Sequence, residues 1–248
     1  MHRSFADNQN FNLETVQIAD PGEIHHIRDV LRLKCGDHII IFNGTGEEAE
    51  AEILENSREC ITLKICRRFE LPVYTAHEIQ IVLACAIPKK SKFEWIIEKA
   101  TELGVSEIQP LKTARTEFKM DPARLTRKEG RYKTMAINAA KQCRRRTIPK
   151  VHPVTDLESC LQRESQQSAQ ILFPCLCGDR RPLHNLLSEP VAPRIMILIG
   201  PEGDWTPDEI RMALEYQAVP VSLGPTILKV ETAAVACLAA LVLSHHRT

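Results

Sequence analysis

Glycine is scarce in this chain, with only ten among 248 residues. Neither Gly-x-x-x-x-Gly-Lys-Ser/Thr nor Gly-x-Gly-x-x-Gly occurs, so the two familiar phosphate-cradling loops are excluded. Long hydrophobic runs are missing as well. The longest apolar stretch, Ala233–Leu243, is too short to span a bilayer. The opening MHRSFADNQNF has no apolar core, so no signal peptide is expected and the protein is placed in the cytoplasm. Nine cysteines are an odd number and lie scattered. Only Cys175 and Cys177 are close, at a spacing that suits no usual zinc site. Reduced thiols are expected, with no metal and no membrane partner. Internal repeats and low-complexity tracts are lacking too.

Net charge is zero, but it is unevenly spread. Between Cys85 and Lys150 there are 17 Lys and Arg against 7 Asp and Glu. One strongly basic third in a neutral protein points to an anionic partner, with nucleic acid first among candidates.

The pattern changes once along the chain. Residues 1–70 read as mostly β. Asp20-Pro21 opens a short helix through Leu31, and strands follow at His38–Phe42, Ala49–Leu54 and Ile61–Ile65 around an Asn43-Gly44-Thr45-Gly46 turn. Glu70-Leu71-Pro72 reads as a linker. From Ile79 onward, apolar strands alternate with amphipathic helices, which predicts a parallel sheet covered on both faces. A long helix is expected over Ala123–Arg146, broken near Gly130, and a strand over Val151–Val154.

Three of the ten glycines fall in two loops, Gly200-Pro201-Glu202-Gly203 and Leu223-Gly224-Pro225. Each loop follows a short apolar strand and so lies at that strand's C-terminal edge, where open α/β sheets bind ligands. Thr206-Pro207-Asp208-Glu209 reads as a capping box, which makes Asp208 and Glu209 partners of a helix dipole rather than catalysts.

IGPEGDWTPDEI followed by LGPTILKVETAA resembles the signature of the RsmE family of 16S ribosomal RNA uracil-N3 methyltransferases. The likeness extends through Arg3-x-Phe5, HIRDVLRLKCGD (26–37), Phe42-Asn43-Gly44, KKSKFEWIIEKATELG (89–104), Ile108-x-Pro110 and AAKQCRRRTIP (139–149). The resemblance implies an α/β protein. A PUA-like β-barrel that binds RNA would cover 1–70, and a SPOUT domain with a C-terminal trefoil knot would cover 75–248. It also implies S-adenosylmethionine as cofactor, a homodimer, and 3-methyluridine in the decoding region of small-subunit rRNA as product. Three departures stand out. Asp204 replaces the second glycine of PEGG, Lys229-Val230 replaces Arg-Thr in LRTETA, and Lys141 replaces an acidic residue.

On that resemblance, three strand ends converge on the cofactor: Phe173-Pro174, Leu198-Ile199-Gly200 with Glu202 and Gly203, and Leu223-Gly224. Leu198, Leu223, Ile227 and Leu228 are expected to wall the adenine. Methylating uracil N3 requires loss of its proton, so a base or stabilising cations are needed. Glu202 and Glu231 are both base candidates, with a cap of the last helix as the alternative role of Glu231. Arg115, Arg144 and Lys229 are the cation candidates. RNA contacts are expected from Arg3, Lys89, Lys90, Arg115, Arg144, Arg145, Arg146 and Lys229. Two other functions fit the same residues: a non-catalytic RNA-binding or ribosome-assembly protein, and a methyltransferase of another RNA such as tRNA.

Overall fold

The computed structural model describes residues 1–7, 9–70, 79–89, 92–116, 121–176, 178–190 and 192–245. They form two compact units: 1–74 with 140–148, and 75–139 with 149–248. Among the described residues no helix is long and apolar enough to cross a membrane.

The first unit contains β1 (Arg3–Phe5), β2 (Thr15–Ile18), α1 (Pro21–His25), β3 (His38–Phe42), β4 (Glu48–Asn56) and β5 (Ile61–Arg68). Asp20 caps α1, its Oδ1 accepting from Glu23 N at 2.9 Å, with Pro21 at the first helical position. The expected helix through Leu31 is α-helical only to His25 and continues as a π turn, His26–Val30. Strand order is β1-β3-β4-β5-β2, antiparallel except for β1 beside β3. In β4 the alternation turns Ala49, Ala51 and Ile53 inward, where they meet Ile39, Ile41, Ile61 and Leu63. Two register shifts in the β4–β5 pair supply the local bend that curls such a sheet. β1 and β2 are the edge strands, and the curled sheet is a half-barrel, in keeping with the PUA-like β-barrel expected.

A distant segment completes this unit. Thr147 bridges Gly44 and Thr45, Ile148 N donates to Gly44 O at 2.9 Å, and Gly46 N donates to Arg146 O at 3.2 Å. Gly44 has a φ of +78°, and a Cβ on it would lie 2.8 Å from Ile148 Cδ1.

The second unit begins with β6 (Gln80–Ala86), α2 (Lys92–Glu102), β7 (Glu107–Lys112) and α3 (Pro122–Cys143), whose last turn belongs to the first unit. It continues with β8 (Lys150–Val151), β9 (Thr155–Asp156), α4 (Leu157–Gln166), β10 (Gln170–Pro174), β11 (Arg181–Pro182) and α5 (Leu183–Leu187). It ends with β12 (Arg194–Ile199), α6 (Pro207–Glu215), β13 (Val219–Ser222) and α7 (Val230–His245). The sheet is parallel, in the order β11-β13-β10-β12-β6-β7-β8, with β9 also on β7. The apolar run of β12 is buried throughout, as a central parallel strand requires. Its alternate residues Met196 and Leu198 pack with Phe173, Trp205 and residues of α4 and α6. The apolar helix α7 packs against α2, α5, β6 and β12.

Three sequence expectations change. The strand expected over Val151–Val154 is two short pieces, because Pro153 has no N–H to continue the ladder. The long helix runs unbroken through Gly130, and it ends at Cys143 rather than Arg146. Arg144 takes a φ of +61°, the left-handed conformation that stops a helix. Arg144, Arg145 and Arg146 are therefore not arrayed around a helix. Leu71, Pro72 and Lys90 lie outside the described residues.

Candidate active site

A cavity of about 380 Å³ opens at the C-terminal edge of the parallel sheet. Its walls are the loops that follow β10, β12 and β13, together with the start of α7. The topology explains the convergence, since β13, β10 and β12 are spatial neighbours although they are far apart in sequence. Of the residues expected to contact a cofactor, Pro174, Ile199, Gly200, Glu202, Leu223, Gly224, Ile227 and Leu228 line it. Ile227 is 78 % exposed, an apolar side chain held at the surface of the single chain.

Phe173 and Leu198 do not line the cavity. Both are fully buried, and the two-residue period of their strands turns them onto the opposite side, where Phe173 stacks on Trp205 at 5.3 Å. Gly203 also lies off the cavity wall, next to the Arg115 side chain. Gly200 lines the cavity, but its lack of a side chain serves Trp205. A Cβ there would sit 2.8 Å from the indole ring. Trp205 Nε1 in turn donates to Pro174 O at 3.4 Å, tying two cavity loops together. Sequence reasoning missed Trp205, although an indole directly after a glycine loop was a visible signal.

Arg115 clamps the same loop. Its guanidinium donates to the carbonyls of Gly203, Asp204 (3.3 Å) and Trp205 (3.2 Å). The capping box expected at Thr206 and Glu209 is present, and the second Glu209 oxygen accepts from Ala114 N at 2.8 Å. The loop is thus held from both sides.

The charged wall residues are Lys92, Arg180, Glu202, Asp204 and Lys229. No sequence signal singled out Lys92 or Arg180. Lys92 pairs with Glu231 at 3.1 Å, and Arg180 donates to Cys175 O at 3.0 Å. Burial works against ionisation of Glu231, yet its own backbone amide, Lys92 and Lys229 together hold its carboxyl below the usual range. Glu231 is therefore a weak proton acceptor, and its side-chain partner is Lys92. Glu202 is exposed, and its Oε1 accepts from Lys89 N at 3.0 Å. Both carboxylates lie close to Cys85, whose thiol is pushed far up by complete burial and then by their negative charge.

The remaining RNA candidates belong to the first unit. Arg3 and Arg146 share the carboxylate of Glu48, at 2.8 and 2.9 Å, and Arg146 also reaches Glu70 O. Arg3 further donates to Ala140 O and Arg145 O and stacks over Phe42 at 3.8 Å. These two guanidinium groups fasten the 140–148 segment instead of facing solvent. Lys141 does likewise, binding Glu23 at 2.6 Å. Arg145 donates to Thr147 Oγ1 at 3.1 Å.

The cavity suits a ligand with an apolar part and a charged part. Aliphatic side chains and the backbone of three loops face it, with cations and anions both present at the wall. Comparisons with known proteins agree with this division. Residues 75–242 match an RNA methyltransferase domain family, and residues 18–66 an RNA methyltransferase PUA domain. A methyltransferase of Legionella pneumophila, solved with its bound cofactor SAM, is 28 % identical, with a TM-score of 0.85 over 98 % of this chain and 97 % of that one. The ribosomal RNA small subunit methyltransferase E of Neisseria gonorrhoeae, solved bound to S-adenosyl methionine, is 26 % identical, with a TM-score of 0.82 over 97 % and 96 %. The Bacillus subtilis protein of the same name is 32 % identical over 227 residues, which cover 88 % of this chain and 86 % of its own. With both units matched and the likeness running nearly end to end, the chain belongs to the ribosomal RNA small subunit methyltransferase E family.

Proposed function

We propose that this protein methylates N3 of one uridine in the decoding region of 16S rRNA, using S-adenosylmethionine held in the cavity at the ends of β10, β12 and β13. The observation that carries the reading is the convergence of those three loops on a cavity with aliphatic walls and charges of both signs. Backbone N–H and C=O groups of the loops would hold the adenine and ribose, and Leu223, Ile227 and Leu228 would supply apolar contact to the adenine. Trefoil-knot threading of the C-terminal chain is part of this proposal, supported by family membership.

When bound, the cofactor supplies a methyl group on a positively charged sulfur that leaves as a neutral thioether. The chain's own residues have three tasks: orientation, removal of the N3 proton, and stabilisation of the uracil anion. Glu202 is the better-placed base. Its carboxylate is exposed and fixed by an amide, whereas Glu231 is held ionised beside Lys92. Lys229, exposed at the cavity wall, is the cation for the developing charge. Arg144, Arg145, Lys89 and Arg115 remain the candidates for RNA contacts. Arg3 and Arg146 act within the first unit by holding its returning segment.

A homodimer completes the reading. Helix α7 buries Ala234, Cys237, Leu238 and Leu241 but leaves Leu243 78 % exposed. An apolar helix with one uncovered face calls for a second surface. Light scattering is expected to give twice the chain mass, and a monomer at micromolar concentration would count against the dimer. The deciding experiment is mass spectrometry of rRNA and tRNA nucleosides after deletion of the gene. Loss of 3-methyluridine from 16S rRNA is expected. Loss confined to tRNA, or no loss, would overturn the assignment.

A further inference from the structure

Among the described residues, five that are not glycine have positive φ: Arg32, Arg144, Ser168, Asp204 and Gln217. Four of them stand just past the end of a helix, where a left-handed residue is the ordinary terminator. Asp204 follows no helix. It sits in the loop after β12 with a φ of +58°, a conformation that glycine adopts freely and Asp, like Asn, adopts at a smaller cost than most residues. Such an outlier in a ligand cavity asks for a functional explanation.

The side chain supplies one. Asp204 lines the cavity, and its Oδ2 accepts from Leu176 N at 3.3 Å, in the loop after β10. A carboxylate has about four lone-pair directions, so one long amide contact leaves most of its capacity toward the cavity. Three of the other four charged wall residues already have protein partners, and the fourth, Lys229, is a cation and cannot pair with another cation. Lys92 is paired with Glu231, Glu202 holds Lys89 N, and Arg180 is bonded to Cys175 O. We infer that Asp204 recognises charge in this cavity, pairing its carboxylate with a cationic group of the bound cofactor. The inference rests on the assignment of the cavity to S-adenosylmethionine, which carries two cations, the sulfonium and the α-ammonium.

Calorimetric affinities of the full-length protein test it with three probes: S-adenosylmethionine, S-adenosylhomocysteine, whose sulfur is neutral, and 5′-methylthioadenosine, which has neither cation. Asp204→Asn keeps an oxygen for Leu176 N and tolerates positive φ but removes the charge. It is expected to weaken S-adenosylmethionine binding about tenfold, the scale of one charge-assisted contact, and to leave 5′-methylthioadenosine within about twofold. Equal weakening of S-adenosylhomocysteine assigns the ammonium, and its sparing assigns the sulfonium. Asp204→Gly should match the Asn variant in affinity while melting no lower than wild type, because it relieves the backbone. Unchanged S-adenosylmethionine affinity in Asp204→Asn, or an equal loss for all three probes, would overturn the inference by reducing Asp204 to a loop fastener. If wild type bound none of the probes, the assignment of the cavity would fail instead.

Discussion

The two ends of the parallel sheet in the second unit use charge in opposite ways. At the N-terminal edge, Arg194 starts β12 and binds Glu164 at 2.8 Å, Glu107 at 2.8 Å and Gln80 at 3.1 Å. His152 closes on the other Glu107 oxygen at 2.5 Å, and Arg163 links Glu164 to Gln109. Glu164 is completely buried. At the C-terminal edge, the charges line a cavity and several are bonded only to backbone amides or carbonyls. The backbone geometry is the same at both ends. What differs is whether a charged side chain meets its complement inside the protein or is left to meet it in a ligand.

Breaking the closed edge should have the largest effect. Arg194→Met strands two carboxylates, one of them wholly buried, and is expected to cost about 3–5 kcal/mol in denaturant unfolding. Adding Glu164→Leu and Glu107→Leu should recover most of that loss, since an apolar replacement of a whole buried network is often neutral. Failure to recover it would show that the network does more than satisfy itself.

Next comes the floor of the open edge. Gly200→Ala puts a carbon 2.8 Å from the Trp205 indole and is expected to destabilise by about 1–3 kcal/mol through overpacking. Trp205→Leu should suppress that penalty in a double-mutant cycle. If Gly200→Ala instead weakened the cofactor with stability intact, Gly200 would be guarding the ligand and not the indole.

A smaller effect sharpens the contrast by pH. Burial opposes ionisation of Glu107, but hydrogen bonds from Arg194 and His152 win and hold its carboxyl at about 2. A folded value below the unfolded one stabilises at pH above about 4.5, and the gain disappears as pH falls toward about 2. Wild type should therefore exceed Glu107→Gln by roughly 1–2 kcal/mol at neutral pH, allowing for solvent screening, and converge with it in acid. A constant gap would mean that the amide misfits sterically. The smallest change is Arg115→Ala. Losing an exposed clamp on three loop carbonyls should leave the melting temperature nearly unchanged and weaken cofactor binding about threefold, a fraction of a kcal/mol.

Much of the architecture was legible because hydrophobic period and glycine position are local signals. The alternation in β4, the buried run of β12 and the capping box at Thr206 all follow from spacing. The open edge was legible too, since its loops announce themselves as glycine after an apolar strand. The closed edge was not. Glu107, Glu164 and Arg194 are far apart in the chain, and nothing local marks a charged residue whose partner arrives from another strand. The same blindness affected Arg3 and Arg146, read as RNA contacts because the carboxylate between them, Glu48, is remote in sequence from both. Phe173 and Leu198 were misplaced by one residue of strand phase, which moves a side chain from cavity to core.

The return of residues 140–148 to the first unit has a consequence for biosynthesis. A chain released up to residue 74 has made every strand of the half-barrel yet lacks Lys141 for buried Glu23 and Arg146 for Glu48. Ile148, which packs over Gly44, has not yet been made either. Four of the second unit's fourteen named strands and helices, β6, α2, β7 and α3, must therefore emerge from the ribosome before the first unit can finish folding. The N-terminal unit is then no detachable cassette. A gene fragment cut between the units encodes an unfinished half-barrel, and a shuffled copy would have to carry the distant nine-residue segment with it.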